Sequence, residues 1–163
     1  MLQELALHCD FIEVGVPYDK PVLDGQPIAV AAPQWHIAAH AHDLATIPVL
    51  MAHHVDDAVL ARACVSAGGF VYVAATAGLT GNQGPLSDTL APFVARVRGW
   101  TELPICAGIG VAGARQAASL AAFTDGAIVG SAFVRCMLAD PGSVGVRGVR
   151  LLARDLATAM RRD

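Results

Sequence analysis

Leu103-Pro104-Ile105-Cys106-Ala107-Gly108-Ile109-Gly110 and, one helix-length later, Asp125-Gly126-Ala127-Ile128-Val129-Gly130-Ser131 decide the fold class. Leu103–Ala107 and Asp125–Val129 are short apolar runs, each followed by glycine, and Ala112–Ala122 between them has helical spacing. Strand, helix and strand within about 30 residues make one βαβ unit. Runs this continuously apolar fit strands covered on both faces of a parallel sheet.

The same alternation extends outward. Upstream strands are expected at Asp10–Val16, Thr46–Ala52 and Gly69–Ala75. Helices are expected at Leu2–His8, Pro33–Leu44, Asp56–Ala67 and Asp88–Trp100, then at Ser131–Leu138 and from about Ser143 to Arg161. Asp56 and Ser87 carry side-chain oxygens suited to helix capping, and Pro33 suits a first helical turn. Strands alternating with helices give an α/β chain of repeated units, here about five parallel strands in one domain over residues 1–163.

Composition bounds the function. The chain has 163 residues, 55% of them hydrophobic and 15% charged, with a formal net charge of −3. That excludes disorder and a globally basic nucleic-acid binder. The longest stretch without a charged residue, Ala63–Ser87, turns glycine-rich and polar halfway, unlike a membrane span. No signal peptide is visible at the N-terminus, so a cytoplasmic protein is expected. Cys9, Cys64, Cys106 and Cys136 fall in apolar segments without C-x-x-C spacing, and read as structural thiols.

Several features point to chemistry. Glu13 sits inside the apolar strand Asp10–Val16, and burial raises a carboxyl toward the range of a general acid/base. A Glu bonded to backbone or to a cation is the equal alternative. The following loop, Pro17 to Pro27, carries Asp24, either a second carboxylate near Glu13 or the start of an Asx-turn before Gly25. Three glycine-bearing turns follow successive strands: Gly78–Gly81, Gly108–Gly110 and Gly130-Ser131. Glycine lets backbone N–H groups approach an anion, and a helix N-terminus favours negative charge. His36 and His40 stand four apart, but the intervening Glu of a zinc protease is absent, and no metal or cofactor is expected. His53-His54 follow a strand and read as loop histidines. The only lysine, Lys20, lies in a proline-flanked loop, which excludes a Schiff-base lysine on a strand.

Four segments, in order, resemble the tryptophan synthase alpha chain family. They are Asp10–Tyr18 with Val22–Gly25, Gly69–Tyr72 leading to Gly78–Gly81, Leu103–Gly110, and Asp125–Ala132. The resemblance implies a TIM-type (β/α) barrel that cleaves indole-3-glycerol phosphate to indole and glyceraldehyde 3-phosphate. It implies that Glu13 is the acid/base and that Asp24 binds the indole N–H. It implies too that Tyr72 lines the site and that Ile109 lies against the indole. By the same resemblance, Gly81, Gly110, Gly130 and Ser131 would hold the substrate phosphate. A complete barrel takes roughly 250 residues and seldom fewer than about 200. The resemblance therefore implies a partial barrel, lacking what correspond to the family's first, third and fourth strands.

The family also implies a beta-chain partner. Tyr18-Asp19-Lys20-Pro21 stands where the family reads aromatic-Ser-Asp-Pro, so Lys20 places a cation where the partner expects an acid. Open strand edges predict self-association. Two functions follow: a shortened lyase, or a non-catalytic truncated paralogue that binds a phosphate ligand or a partner chain.

Overall fold

The computed structural model describes residues 7–8, 47–51, 56–75, 86–139 and 142–161. The expected strand Asp10–Val16, the expected helix Pro33–Leu44 and most of Leu2–His8 lie outside the described residues. Leu7 and His8, at the end of the first expected helix, form a turn.

Four parallel strands alternate with helices: β1 (Val49–Leu50), α1 (Asp57–Ser66), β2 (Val71–Ala74), α2 (Leu90–Arg98), β3 (Ile105–Gly108), α3 (Ala114–Ala121) and β4 (Gly126–Ala127). Two helices follow without an intervening strand, α4 (Ser131–Ala139) and α5 (Ser143–Met160). Spatial order equals chain order, β1-β2-β3-β4. Each step is thus one β-α-β move to the adjacent strand, the progression that builds a (β/α) barrel wall.

Register sorts the side chains into two faces. Leu50 pairs with Val73, Val73 with Ala107, and Ala107 with Ala127. Val71 and Ile105 continue this face, since successive residues alternate. Val71, Val73, Ile105 and Ala107 have no exposed surface, and they share a core with Leu60 and Cys64 of α1, Phe93, Val94 and Val97 of α2, and Leu120 of α3. The other face carries Val49, Tyr72, Cys106 and Gly126 in one register row, with Ala74 and Gly108 in the next.

The helices form because their apolar positions recur at helical spacing. In α2, Leu90, Phe93, Val94 and Val97 are buried, an i, i+3, i+4, i+7 stripe. In α5, Gly145, Val149, Ala153 and Leu156 are buried, and Val149 and Ala153 pack against Phe133, Cys136 and Met137 of α4. Asp56 caps α1 as expected: its carboxylate accepts the Val59 N–H at 2.8 Å. Ser87 acts differently from expectation. Its hydroxyl shapes the preceding turn, accepting the Thr89 N–H at 3.3 Å and sharing a hydrogen bond with the Thr89 hydroxyl at 2.8 Å. α2 therefore begins later, at Leu90, with Thr89 in the capping position.

Burial of the strands on both faces holds for β3 but not for the outer strands. All four residues of β3 are buried, whereas Val49 of β1 is 53% exposed and both residues of β4 are partly exposed. At the N-terminal end of the sheet, the Asp125 carboxylate accepts the Ile105 N–H at 2.8 Å and pairs closely with Arg98. That contact ties α2 to the start of β3 and fixes the β3–β4 register.

Candidate functional site

The loops leaving the C-terminal ends of β3 and β4 are neighbours, because Ile128 N–H donates to Ala107 O at 2.8 Å beyond the ladder itself. This is the end at which (β/α) folds place their sites. Five of the residues singled out in the sequence lie here or beside it: Tyr72, Ile109, Gly110, Gly130 and Ser131. Glu13, Asp24 and Gly81 lie outside the described residues, as do Lys20, His36, His40, His53 and His54.

Tyr72 sits on the face opposite the helices, in register with Cys106. Its ring lies over Gly108: a Cβ placed there would fall 2.8 Å from the ring carbons Cε2 and Cζ, with the phenol hydroxyl in the same space. Gly108 thus admits the aromatic ring between strands. Gly126 does the same for Cys106, since a Cβ there would stand 2.7 Å from Sγ. By its sequence Gly108 belongs to an anion-binding turn. Its nearer role is to make room for Tyr72, which only the strand register discloses.

After β3 the backbone enters an uncommon conformation. Ile109 has φ +61° and Gly110 has φ +93°. Glycine tolerates this, but a β-branched residue in the left-handed region is strained, at a cost of order 1–3 kcal/mol. The strain persists because its surroundings fix it. Gln116 of α3 donates from Nε2 to Gly110 O at 3.0 Å, and its Oε1 accepts the Ala112 N–H at 2.8 Å. One side chain thereby clips the two peptides that flank Val111, directly after the positive-φ pair. Little in the sequence marks Gln116, since a Gln three residues into a helix ordinarily faces solvent. The available signal was its place after Gly113, where a Gln can reach back over the helix start.

The turn after β4 is relaxed. Gly130 O accepts the N–H groups of Phe133 (2.9 Å) and Val134 (3.3 Å), so α4 starts at Ser131 as expected. A Cβ at Gly130 would meet no atom of the described residues within 4 Å. The first N–H groups of a helix lack intrahelical partners and carry the positive end of its dipole. Two backbone turns at adjacent strand ends, one clipped and one open, are suited chemically to an anion.

Cys64 and Cys106 are buried free thiols and Cys136 is a partly exposed one, in line with structural roles. Burial pushes the Cys64 thiol up from its ordinary value, which keeps it protonated and unreactive. Among the described residues no cluster of three His, Cys, Asp or Glu could hold a metal ion, and no helix is long and apolar enough to cross a membrane.

Residues 27–160 match the family model for the tryptophan synthase alpha chain. The tryptophan synthase alpha chain of Streptomyces avermitilis is 42% identical over 141 residues, covering 86% of this chain and 50% of that protein. The chain spans about half the length of the curated relatives it matches in this way. That of Nocardia farcinica is 27% identical over 219 aligned residues, covering 94% of this chain and 80% of that one. An alignment longer than 163 residues opens gaps in this chain, as expected if internal strands of the relative have no counterpart here. A crystal structure of tryptophan synthase from M. tuberculosis superposes with a TM-score of 0.77 at 24% identity, covering 99% of this chain and 85% of that one. The expected partial (β/α) barrel is borne out.

Proposed function

The chain belongs to the tryptophan synthase alpha chain family, and from that membership we propose that it is a lyase of tryptophan biosynthesis acting on indole-3-glycerol phosphate. The observation that carries the proposal is the pairing of the Ile109-Gly110 turn with the start of α4 at adjacent strand ends, beside the Tyr72 ring. A dianionic phosphate held by Gly110, Gly130, Ser131 and Gly81 would leave the indole directed toward Ile109 and Tyr72.

The reaction is a retro-aldol cleavage. Glu13 delivers a proton to the indole ring carbon that bears the glycerol chain. It then takes the proton of the adjacent hydroxyl, whose oxygen becomes the aldehyde of glyceraldehyde 3-phosphate. The carbon–carbon bond breaks and its electron pair restores the aromatic indole. Asp24 accepts the indole N–H and stabilises the positive charge on the ring during the step. Two carboxylates with separate tasks, opposite a preorganised amide cradle, are a general solution for such chemistry. No cofactor takes part.

The test is indole release from indole-3-glycerol phosphate by the purified chain. Glu13→Gln should lower the rate by about 10²-fold or more, the usual scale of general acid/base catalysis. A rate unchanged by that substitution defeats the role given to Glu13.

One observation favours a second reading. The internal gaps that this chain opens against a relative over 219 aligned residues fit a non-catalytic paralogue that binds phosphate or a partner chain. Absence of indole release, with inorganic phosphate still raising the melting temperature, is its signature. A tryptophan synthase beta chain is the proposed partner, weakened by the cation at Lys20, and Lys20→Asp should tighten that association. Self-association through strand edges is the alternative assembly, and the solution mass separates it from a monomer.

A further inference from the structure

We propose that Gln116 is a positioning residue that sets the Ile109–Ala112 turn for phosphate, an inference that rests on the phosphate site described above. Three observations converge on it. Ile109 and Gly110 both hold positive φ, 61° and 93°, and the first is a β-branched residue that resists that conformation. The partly buried Gln116 side chain ties the chain directly after the strained pair, bonding Gly110 O and the Ala112 N–H on the two sides of Val111. The other limb of the cradle, at Gly130, has no positive φ, and a Cβ there would meet no atom of the described residues within 4 Å.

The physical logic is preorganisation. A turn that contains a strained residue relaxes when its ties are cut, and its amide then points elsewhere. An anion cradle built from backbone N–H groups works only if those groups are aimed before the anion arrives. Gln116 touches no substrate atom. It acts through the two peptides that flank Val111, anchoring the chain directly after the strained pair and so holding Gly110 and its amide in place. Both functions of the side-chain amide are used, one as donor and one as acceptor, so neither Glu nor Met can replace it. Gln116→Met keeps the length and removes both hydrogen bonds.

The test is a titration of the full chain with inorganic phosphate, read by the backbone amide resonances of Gly110 and Ser131. In the wild type both amides should shift with one common affinity. In Gln116→Met the dissociation constant should rise about tenfold, the equivalent of one well-made hydrogen bond. The Gly110 amide should move even without phosphate, while Ser131 should not. Thr124→Val is the control for lost stability. It deletes the buried hydroxyl that donates to Leu120 O at 2.9 Å, at the far end of α3, and should leave phosphate affinity unchanged. A third arm needs no variant: in the wild type, phosphate should slow exchange of the Gln116 Nε2 hydrogens.

Equal phosphate affinity in Gln116→Met and wild type overturns the role of Gln116 and leaves the phosphate site standing. Nε2 exchange indifferent to bound phosphate overturns it as well, whether or not the variant folds. Wild type without a saturable shift at either amide overturns the phosphate site and the role of Gln116 together.

Discussion

The two faces of the sheet are built on different principles. Toward the helices, Val71, Val73, Ile105 and Ala107 are fully buried among aliphatic side chains and Phe93. On the opposite face Val49 is 53% exposed, Tyr72 is partly exposed, and glycines stand where neighbours need room. The first face is held by volume and apolar area, which many residues can supply. The second is held by fit between particular side chains and particular gaps. Stability is concentrated on one face and the candidate chemistry on the other, so substitutions on the two faces should fail differently.

Ile105→Ala should show the largest effect. Ile105 has no exposed surface and lies at the centre of the helix-facing core. Its truncation should cost about 2–5 kcal/mol of unfolding free energy, measurable by urea titration, from lost transfer energy and the cavity left behind. The amide shifts caused by phosphate should persist in the folded fraction. A loss of phosphate binding without a loss of stability would mean that the two faces are not separable.

Much of this architecture was legible in the sequence, and the parts that were not have physical reasons. β2 and β3 stand out because apolar runs are bounded by Gly and Pro, and α2 because Leu90, Phe93, Val94 and Val97 recur at one helical spacing. The face assignment was not legible, because Val, Ile, Cys and Ala in an apolar run look alike until register is known. The clip at Gln116 was hidden because it depends on where the Gly110 carbonyl falls in space. The left-handed Ile109 ran against its own propensity, as strained residues at functional turns do. Glu13 and Asp24 were legible only through the family likeness, since a carboxylate in a strand and an Asp in a loop each have an ordinary structural explanation.

Gly108→Ala sharpens the comparison at intermediate size. The backbone there is not left-handed, so the whole effect is the methyl group against the Tyr72 ring. Forcing the ring aside should cost about 1–3 kcal/mol. Tyr72→Ala opens the same space, so the double variant should be more stable than the sum of the single effects predicts, by about 0.5–3 kcal/mol in a double-mutant cycle. Tyr72→Phe should not relieve the clash, because Cε2 and Cζ remain. Additive effects would place the ring away from Gly108.

Gly130→Ala should affect stability least. A methyl group at Gly130 meets no atom, and the residue has no positive φ. Alanine ahead of a helix loses some of glycine's preference for that place, but it also restricts the unfolded chain, and the two terms oppose each other within about 1 kcal/mol. Neither folding nor packing therefore accounts for glycine at this position. On the proposed phosphate site, close approach of the anion to the amides at the start of α4 would account for it, because the methyl group would stand in the anion's path. The expected result is a melting temperature within a few degrees of wild type and a phosphate dissociation constant raised several-fold, with Ser131 rather than Gly110 showing the altered amide shift. Phosphate affinity unchanged by this substitution would remove α4 from the cradle and leave the clipped turn at Gly110 as the anion's remaining support on this side of the sheet.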